Sequence, residues 1–177
     1  MEETIVKDWI ARRVIDYYIA NPPSVEQIIH TQTVASYTRT IAFGEGMDEK
    51  NVNLHETAAW LHDIGCPNAR RIYGNSLPVH QQNEGRKLVK EWLQNIDGLT
   101  MEEKQWLTNV VGTHHQLKYA QSLHFEPLFE ADLIVNLIEG YYSMDKADDF
   151  YKKMMMTPTG RGLFHQLFLS ETDISRQ

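Results

Sequence analysis

Histidine and aspartate side chains that can bind a metal ion recur along this 177-residue sequence. The adjacent pair His62-Asp63 follows an apolar run and precedes Gly65. Neighbouring residues of a helix point about 100° apart, so the pair can converge on one ion only where the helix ends. Gly65 supplies that break. Imidazole and carboxylate together suit iron, manganese, nickel, cobalt or zinc rather than calcium, and the pair therefore predicts a transition-metal site.

Four further histidines and one aspartate are candidates for the same chemistry. Asp132 lies among alanine and aliphatic residues of a predicted helix, where an unpaired charge would be costly. A buried aspartate needs a cation, although a salt bridge or a helix cap is the alternative. A single helical histidine is more often a surface or satisfied core residue. That alternative applies to each of the four candidate histidines when it is considered singly. The four are His30, His80, His114 and His115.

Helices must position these residues, since apolar residues recur at helical spacing and no alternating strand pattern is present. The predicted helices cover 3–20, 24–44, 53–63, 81–92, 100–111, 129–138, 145–156 and 160–170. The segments 66–79 and 116–127 are predicted as loops that shape a pocket. We therefore expect an all-α fold, a single-domain bundle of about seven or more helices over 1–177. Its metal-binding core is expected at 24–140, with the C-terminal helices of 145–170 packed on it.

Polar residues ahead of three predicted helices indicate where those helices begin. Ser24 with Gln27, and Thr100 with Glu103, have the spacing of a capping box, in which each residue hydrogen-bonds the other's backbone N–H. Asn53 followed by Glu56 indicates a third helix start. These signals predict helix starts at three places that flank the candidate ligands.

Composition excludes several classes of protein. The net charge of -7 argues against nucleic-acid polymers and anionic membranes as partners, because both require a basic face. The single cysteine, Cys66, excludes a disulfide framework and a cysteine-rich zinc site. No apolar run approaches the roughly 20 residues of a membrane span, and the acidic start Met1-Glu2-Glu3 lacks a signal-peptide core. We expect a cytoplasmic protein.

The order His30, His62-Asp63, Asp132, each on its own predicted helix, resembles the HD-domain metal-dependent phosphohydrolase superfamily. The resemblance covers roughly 24–140, and Leu61-His62-Asp63-Ile64-Gly65 is its most specific piece. The later segment 150–168, with Thr157-Pro158-Thr159-Gly160, is similar to a small bacterial branch of that superfamily. The resemblance implies a helical fold in which His30, His62, Asp63 and Asp132 bind one divalent metal, with Asp63 bridging to any second ion.

A second ion depends on the remaining histidines. Binuclear relatives, such as the cyclic-dinucleotide phosphodiesterases, add a histidine four residues before a helix glycine. Gly85 places that ligand at Gln81, whereas His80 lies five residues before the glycine. A one-residue slip near a helix start keeps His80 a candidate. The pair His114-His115 matches the paired histidines of those relatives, so His80, His114 and His115 are predicted as a conditional second site.

Cys66 stands where several branches of the superfamily have a lysine that contacts phosphate. We interpret Cys66 as a packing residue, because a metal can supply the nucleophile. Arg70, Arg71 and Lys118 are predicted to bind the substrate, since the planar fork of arginine suits phosphate oxygens. The alternative is that all three are ordinary solvent-exposed residues that bind no substrate.

The resemblance and the metal chemistry together imply hydrolysis of a nucleotide-type phosphomonoester or phosphodiester. A bound divalent ion lowers the pKa of a water ligand toward 7. Asp63, His114 and His115 are the predicted catalytic residues, because a histidine that is not a ligand could protonate the leaving oxygen. The expected partner is a small phosphorylated substrate, and the apolar C-terminal segment leaves a homodimer open.

Two other functions fit the same residues. Inositol oxygenases have similar ligands but use a diiron centre to activate oxygen, so a diiron HD-fold oxygenase is one alternative. A non-catalytic HD module that binds a nucleotide or a structural metal is the other.

Overall fold

The computed structural model describes residues 3–170, with side chains from residue 6 onward. Met1 and Glu2, which belong to the predicted acidic start, and the segment 171–177 lie outside that range. The described residues contain no strand, and the predicted all-α bundle of seven or more helices is confirmed. The α-helices are α1 (Glu3–Ile19), α2 (Val25–Gly44), α3 (Glu49–Leu61), α4 (Cys66–Tyr73), α5 (Pro78–Leu93), α6 (Met101–Val111), α7 (Leu117–Leu123), α8 (Glu126–Ile138), α9 (Ala147–Lys153) and α10 (Pro158–Phe168). A 3-10 turn at Met144–Lys146 precedes α9.

The centre of the bundle is made by α2, which packs against both α3 and α8. Helix α1 covers α3 with one apolar stripe at four-residue spacing, formed by Val6, Ile10, Val14 and Tyr18, all buried. Helices α5 and α6 pack on each other, and α4 packs on α5. None of the described helices is long and apolar enough to cross a membrane.

Of the three helix starts predicted from capping residues, one has the predicted capping hydrogen bonds. The Thr100–Glu103 capping box is confirmed, with both reciprocal hydrogen bonds present. The predicted start at Asn53 is wrong, because α3 begins one turn earlier, where the Asp48 side chain accepts from the Asn51 backbone N–H at 2.8 Å. The Ser24–Gln27 box is also absent, since Ser24 makes no side-chain capping bond.

The two segments predicted as loops contain short helices. Pro67 lies in the first turn of α4, where no backbone donor is required. Gly74 ends α4 in the left-handed conformation at φ 72°, as glycine commonly does after a helix. Helix α7 likewise ends at His124, at φ 56°. The predicted loops 66–79 and 116–127 are therefore wrong over most of their length.

Gly65 is required for close packing rather than for an unusual backbone conformation. Its φ of -76° is ordinary for a helix. A Cβ at this position would lie 2.0 Å from the carbonyl oxygen of Gln81 and 2.4 Å from the amide nitrogen of Gly85. The turn that follows α3 can therefore approach the backbone of α5 only with glycine at position 65.

Glu130 of α8 holds the segment that leads into α10. Its carboxylate accepts from the Thr157 backbone N–H at 2.7 Å, from the Thr157 hydroxyl at 2.6 Å and from the Met156 backbone N–H. Burial raises the pKa of Glu130, against these hydrogen bonds. Gly160 completes this contact, because a Cβ there would lie 2.0 Å from Glu130 Oε2.

Candidate metal centre

Three helices bring the first group of donor atoms together. His30 comes from α2, His62 directly follows α3, and Asp132 comes from α8; all three are buried. His30 Nε2 lies 3.3 Å from His62 Nε2 and 3.4 Å from Asp132 Oδ1. His62 Nε2 lies 3.8 Å from the same Asp132 oxygen. These donors are close enough to hold one metal ion.

Asp63 lies between this group and a second one. Its Oδ2 is 3.7 Å from Nε2 of both His30 and His62, and its Oδ1 is 3.5 Å from His114 Nε2. Asp63, His114 and His115 form the second group of donors, whose ligand atoms all lie within 4.8 Å of one another. One carboxylate thus faces both groups.

The donor set fits a cation because two of its buried atoms have no hydrogen-bond partner. Asp63 Oδ1 and His114 Nε2 are both buried and lie 3.5 Å apart, and among the described residues neither makes a hydrogen bond of ordinary geometry. Such atoms are rare in folded proteins, since each loses its hydration without compensation. A cation bound by both atoms would satisfy both of them.

Each buried histidine is oriented through its other ring nitrogen. Nδ1–H of His62 donates to the Ala59 carbonyl at 2.6 Å, and Nδ1–H of His114 donates to the Val111 carbonyl at 2.9 Å. His30 Nδ1–H donates to Glu139 Oε2 at 2.8 Å. In each neutral ring Nε2 then keeps its lone pair, as a metal ligand requires.

Both carboxylates of the cluster are held in their ionised form. Burial alone would raise the pKa of Asp63, but His62, His114 and His30 hold it well below its ordinary value. Burial likewise opposes ionisation of Asp132, and His30 and His62 lower its pKa. The cluster therefore concentrates negative charge among nitrogen donors, which favours cation binding.

The surroundings shift the pKa values of His30 and His115 in opposite directions. Burial would lower the pKa of His30, but Asp132, Asp63 and Glu139 raise it to about 9. Burial and the neighbouring His114 lower the pKa of His115 to about 4. His115 is therefore neutral at pH 7, whereas His30 must lose a proton when it binds a metal.

The structure does not bring His80 to the cluster. Its ring stacks on Tyr73 with centroids 4.1 Å apart, and its Nδ1 lies 2.8 Å from Asn75 Oδ1. Gln81 faces the cluster instead, hydrogen-bonded through Nε2 to His115 Nε2 and through Oε1 to the Cys66 thiol. Because α5 starts at Pro78, positions 80 and 81 are both helical and about 100° apart, which leaves no room for a slip of register.

Of the three predicted substrate-binding cations, Arg70 contacts a residue that is hydrogen-bonded to the cluster. Its Nη1 and Nη2 are 3.4 and 3.5 Å from Gln27 Oε1, and Gln27 in turn donates to Asp63 Oδ2 at 3.1 Å. Arg71 is exposed and donates to Asn68. Lys118 is exposed, with its Nζ 4.7 Å from the centroid of the Tyr119 ring. The structure thus connects Arg70 to the cluster through one side chain.

Three residues that contact the cluster were not foreseen from the sequence. Gln27 contacts Asp63, and Glu139 contacts His30. Asn136 Nδ2 donates to Asp132 Oδ1 at 2.8 Å. Each of them lies about one or two helical turns from a candidate ligand on its own helix. Polar residues at this spacing share a helix face, so the spacing could have indicated them.

A cleft of about 430 Å³ opens beside the cluster and reaches His115 and Asp132. Three apolar side chains, Phe129, Leu133 and Met154, form part of its wall, together with Tyr142 and several carboxamides. Three aromatic residues of the two predicted loops do not line this cleft. Phe125 is fully buried in the core, Tyr119 packs against the core, and Tyr73 contacts His80.

Comparisons with models of protein families, with curated proteins and with solved structures find no match for this chain. What this chain can do chemically follows from the geometry of the cluster and from its donor atoms.

Proposed function

We propose that this protein is a metal-dependent phosphohydrolase of the HD type, acting on a nucleotide-type phosphomonoester or phosphodiester. The observation that carries the proposal is the position of Asp63. Its carboxylate faces His30 and His62 on one side and His114 on the other, and one of its buried oxygens lacks a hydrogen-bond partner. The order of these residues along the chain, which resembles the HD superfamily, supports the same function.

His30, His62, Asp63 and Asp132 would hold one divalent transition metal, iron, manganese, nickel, cobalt or zinc. Such an ion supplies Lewis acidity and a nucleophilic water at neutral pH. Glu139 and the carbonyl oxygens of Ala59 and Val111 keep the ring nitrogens oriented toward the cluster. This support limits the rearrangement that binding requires.

His115 lies where the cluster meets the cleft, so it would lie beside a substrate bound there. With a pKa of about 4 it is neutral at pH 7, and so offers a lone pair more readily than a proton. The amide of Gln81 already occupies its Nε2. A second ion bound through His115 Nε2 would have to compete with this hydrogen bond, whereas Nδ1 lies 3.8 Å from Asp132 Oδ2. We therefore propose one ion per chain, with donors present for a second.

Arg70 is the cation best placed to offset phosphate charge. It contacts Gln27, which donates to Asp63, so one side chain separates the guanidinium from the cluster. A planar guanidinium contacts two phosphate oxygens at once.

Metal content and turnover test the proposal together. Purified protein is expected to contain about one divalent ion per chain, measured by elemental analysis, and to hydrolyse phosphate esters when manganese is added. Asp63→Ala should lower the activity at least about 100-fold, because it removes a direct ligand. Asp97→Ala, the same change at an exposed position, is the matched control.

Three results would contradict the proposal. Full phosphatase activity in Asp63→Ala would exclude the role given to that residue. Two irons per chain with substrate-dependent oxygen consumption would identify an oxygenase. Full metal loading without turnover of any phosphate ester would identify a binding module.

A further inference from the structure

Among the residues that the structure describes, no positively charged side chain lines the cleft to receive a second phosphate group. Apart from His115 and Asp132, which belong to the cluster, none of its lining side chains is ionised at neutral pH. A phosphate group that enters such a cleft loses its hydration without gaining a cation. The cleft is therefore suited to an uncharged part of a ligand.

Gln82 is a buried polar side chain of the cleft whose amide makes no hydrogen bond to the described residues. It is only 6% exposed, and its Nε2 is buried without a hydrogen bond. Its neighbour Gln81 differs, because both ends of that carboxamide are bonded, to Cys66 and to His115. Asn136 is likewise bonded, to Asp132. Because Nε2 is covered in this structure, the carboxamide would have to rotate to present it to the cleft, where an acceptor atom on a ligand would complete its hydrogen bonding.

Aromatic and apolar side chains form the rest of the binding surface. Phe129 and Leu133 are buried against the core, and Tyr142 contributes a ring that is 42% exposed. Flat aromatic surfaces favour planar rings. A volume of about 430 Å³ is within the range of ordinary small-molecule pockets.

We propose that this cleft binds the uncharged, ring-bearing part of the substrate, and that the Gln82 amide recognises a hydrogen-bond acceptor on that ring. The substrate is then a monophosphate whose ring carries acceptor atoms, as nucleobases do, and not a polyphosphate. The inference rests on the proposed function, which places the reacting phosphate at the metal cluster.

Substrate preference and charge substitution test the inference. The manganese-loaded full chain is assayed for kcat/KM on nucleoside 5′-mono-, di- and triphosphates of the same base. The monophosphate should be favoured by about tenfold or more, since the cleft offers a second phosphate no cation. Gln82→Lys should erase that preference, whereas Asn83→Lys, which adds the same charge at the neighbouring exposed position, should leave it unchanged.

Gln82→Leu separates recognition of the ring from catalysis. It should lower kcat/KM for the nucleoside monophosphate about tenfold, the usual effect of one hydrogen bond. Phenyl phosphate, whose ring has no acceptor atom, should lose little. Equal losses on both substrates would show that Gln82 acts on the metal cluster and would overturn the inference.

Nucleoside binding distinguishes failure of the inference from failure of the proposed function. Equal or better hydrolysis of di- and triphosphates by the wild type overturns the inference and leaves the phosphohydrolase standing. If the loaded protein hydrolyses no phosphate ester, the proposed function fails and equilibrium dialysis with the free nucleosides decides. Binding that Gln82→Leu abolishes then supports the cleft as a ring site, whereas no binding by the wild type overturns it. The wild-type measurements decide even if a Gln82 variant does not fold.

Discussion

Two buried carboxylates on α8, two residues apart, have opposite environments. Glu130 accepts hydrogen bonds from two backbone N–H groups and a hydroxyl, all supplied by the segment before α10. Asp132 is surrounded by the histidines of the cluster. Burial raises the pKa of Glu130, whereas the histidines outweigh burial and lower the pKa of Asp132. Burial of an acid therefore does not identify a metal site; the chemistry of its partners does.

Exchanging each carboxylate for its amide should separate the two roles most strongly. Asp132→Asn is expected to lower metal affinity at least about 100-fold, because it removes the negative charge of a direct donor. Glu130→Gln should leave that affinity within about twofold, since Glu130 contacts none of the donor atoms. Isothermal titration with manganese measures both. Equal losses in the two variants would show that the difference between the carboxylates is not functional.

Removing the side chain of Glu130 should cost stability and spare the metal centre. Glu130→Ala leaves three donors around Met156 and Thr157 without an acceptor, which should lower the free energy of unfolding by about 3 kcal/mol. Urea denaturation of the metal-free protein measures the loss. Glu126→Ala, on the same helix but less buried, is the control. A stability unchanged by Glu130→Ala would contradict a structural role for that residue.

The two regions should also differ in their dependence on pH. His30 has a folded pKa of about 9 against an ordinary 6.5, so its contribution to stability is complete below pH 6.5 and is lost as the pH rises through 9. That contribution is on the order of 3 kcal/mol. The raised pKa of Glu130 also makes the stability fall as the pH rises, but over an acidic range that starts at its ordinary pKa of 4.5.

Metal-free protein should therefore lose stability between pH 6.5 and 9, measured by urea denaturation. His30→Gln should show a smaller loss, because Asp63 and Asp132 also raise the pKa of His114, which acts in the same direction above pH 6.5. Bound metal should cancel the wild-type loss, because the ion replaces the proton of His30. A pH-independent stability of the metal-free wild type over this range would refute the charge arrangement described for the cluster.

The smallest expected effect concerns a residue that supports the cluster without belonging to it. Glu139 orients His30 through Nδ1, so Glu139→Gln should lower metal affinity about tenfold. Glu126→Gln, at the other end of α8, is the matched control. Spectroscopy of a cobalt-loaded sample should show a changed ligand field in Glu139→Gln alone. A metal affinity and a spectrum identical to those of the wild type would show that His30 does not need its hydrogen bond to Glu139.

Local signals accounted for the helical class and for much of the helix positions. Apolar periodicity placed α1, α2, α6, α8 and α10 nearly where they lie, since the pattern of buried residues is a property of each helix by itself. The same reasoning missed α4 and α7, which are seven or eight residues long. Helices of that length are stabilised by their packing and leave little periodic pattern.

The candidate ligands were visible in the sequence, but their partners were not. His30, His62, Asp63 and Asp132 could be named from residue type and order alone. Gln27 was interpreted as part of a capping box, yet it contacts Asp63, which lies on another part of the chain. No local signal reports a contact that depends on how α2 packs against α3.

The sequence by itself determined the helical class and which side chains could serve as ligands, because both follow from residue type and spacing. Tertiary structure decided which of those side chains meet. It placed Gln81 rather than His80 beside His115, because α5 runs unbroken from Pro78. It also turned Glu130 toward the C-terminal segment and Asp132 toward the histidines, since residues two apart on a helix point about 200° apart.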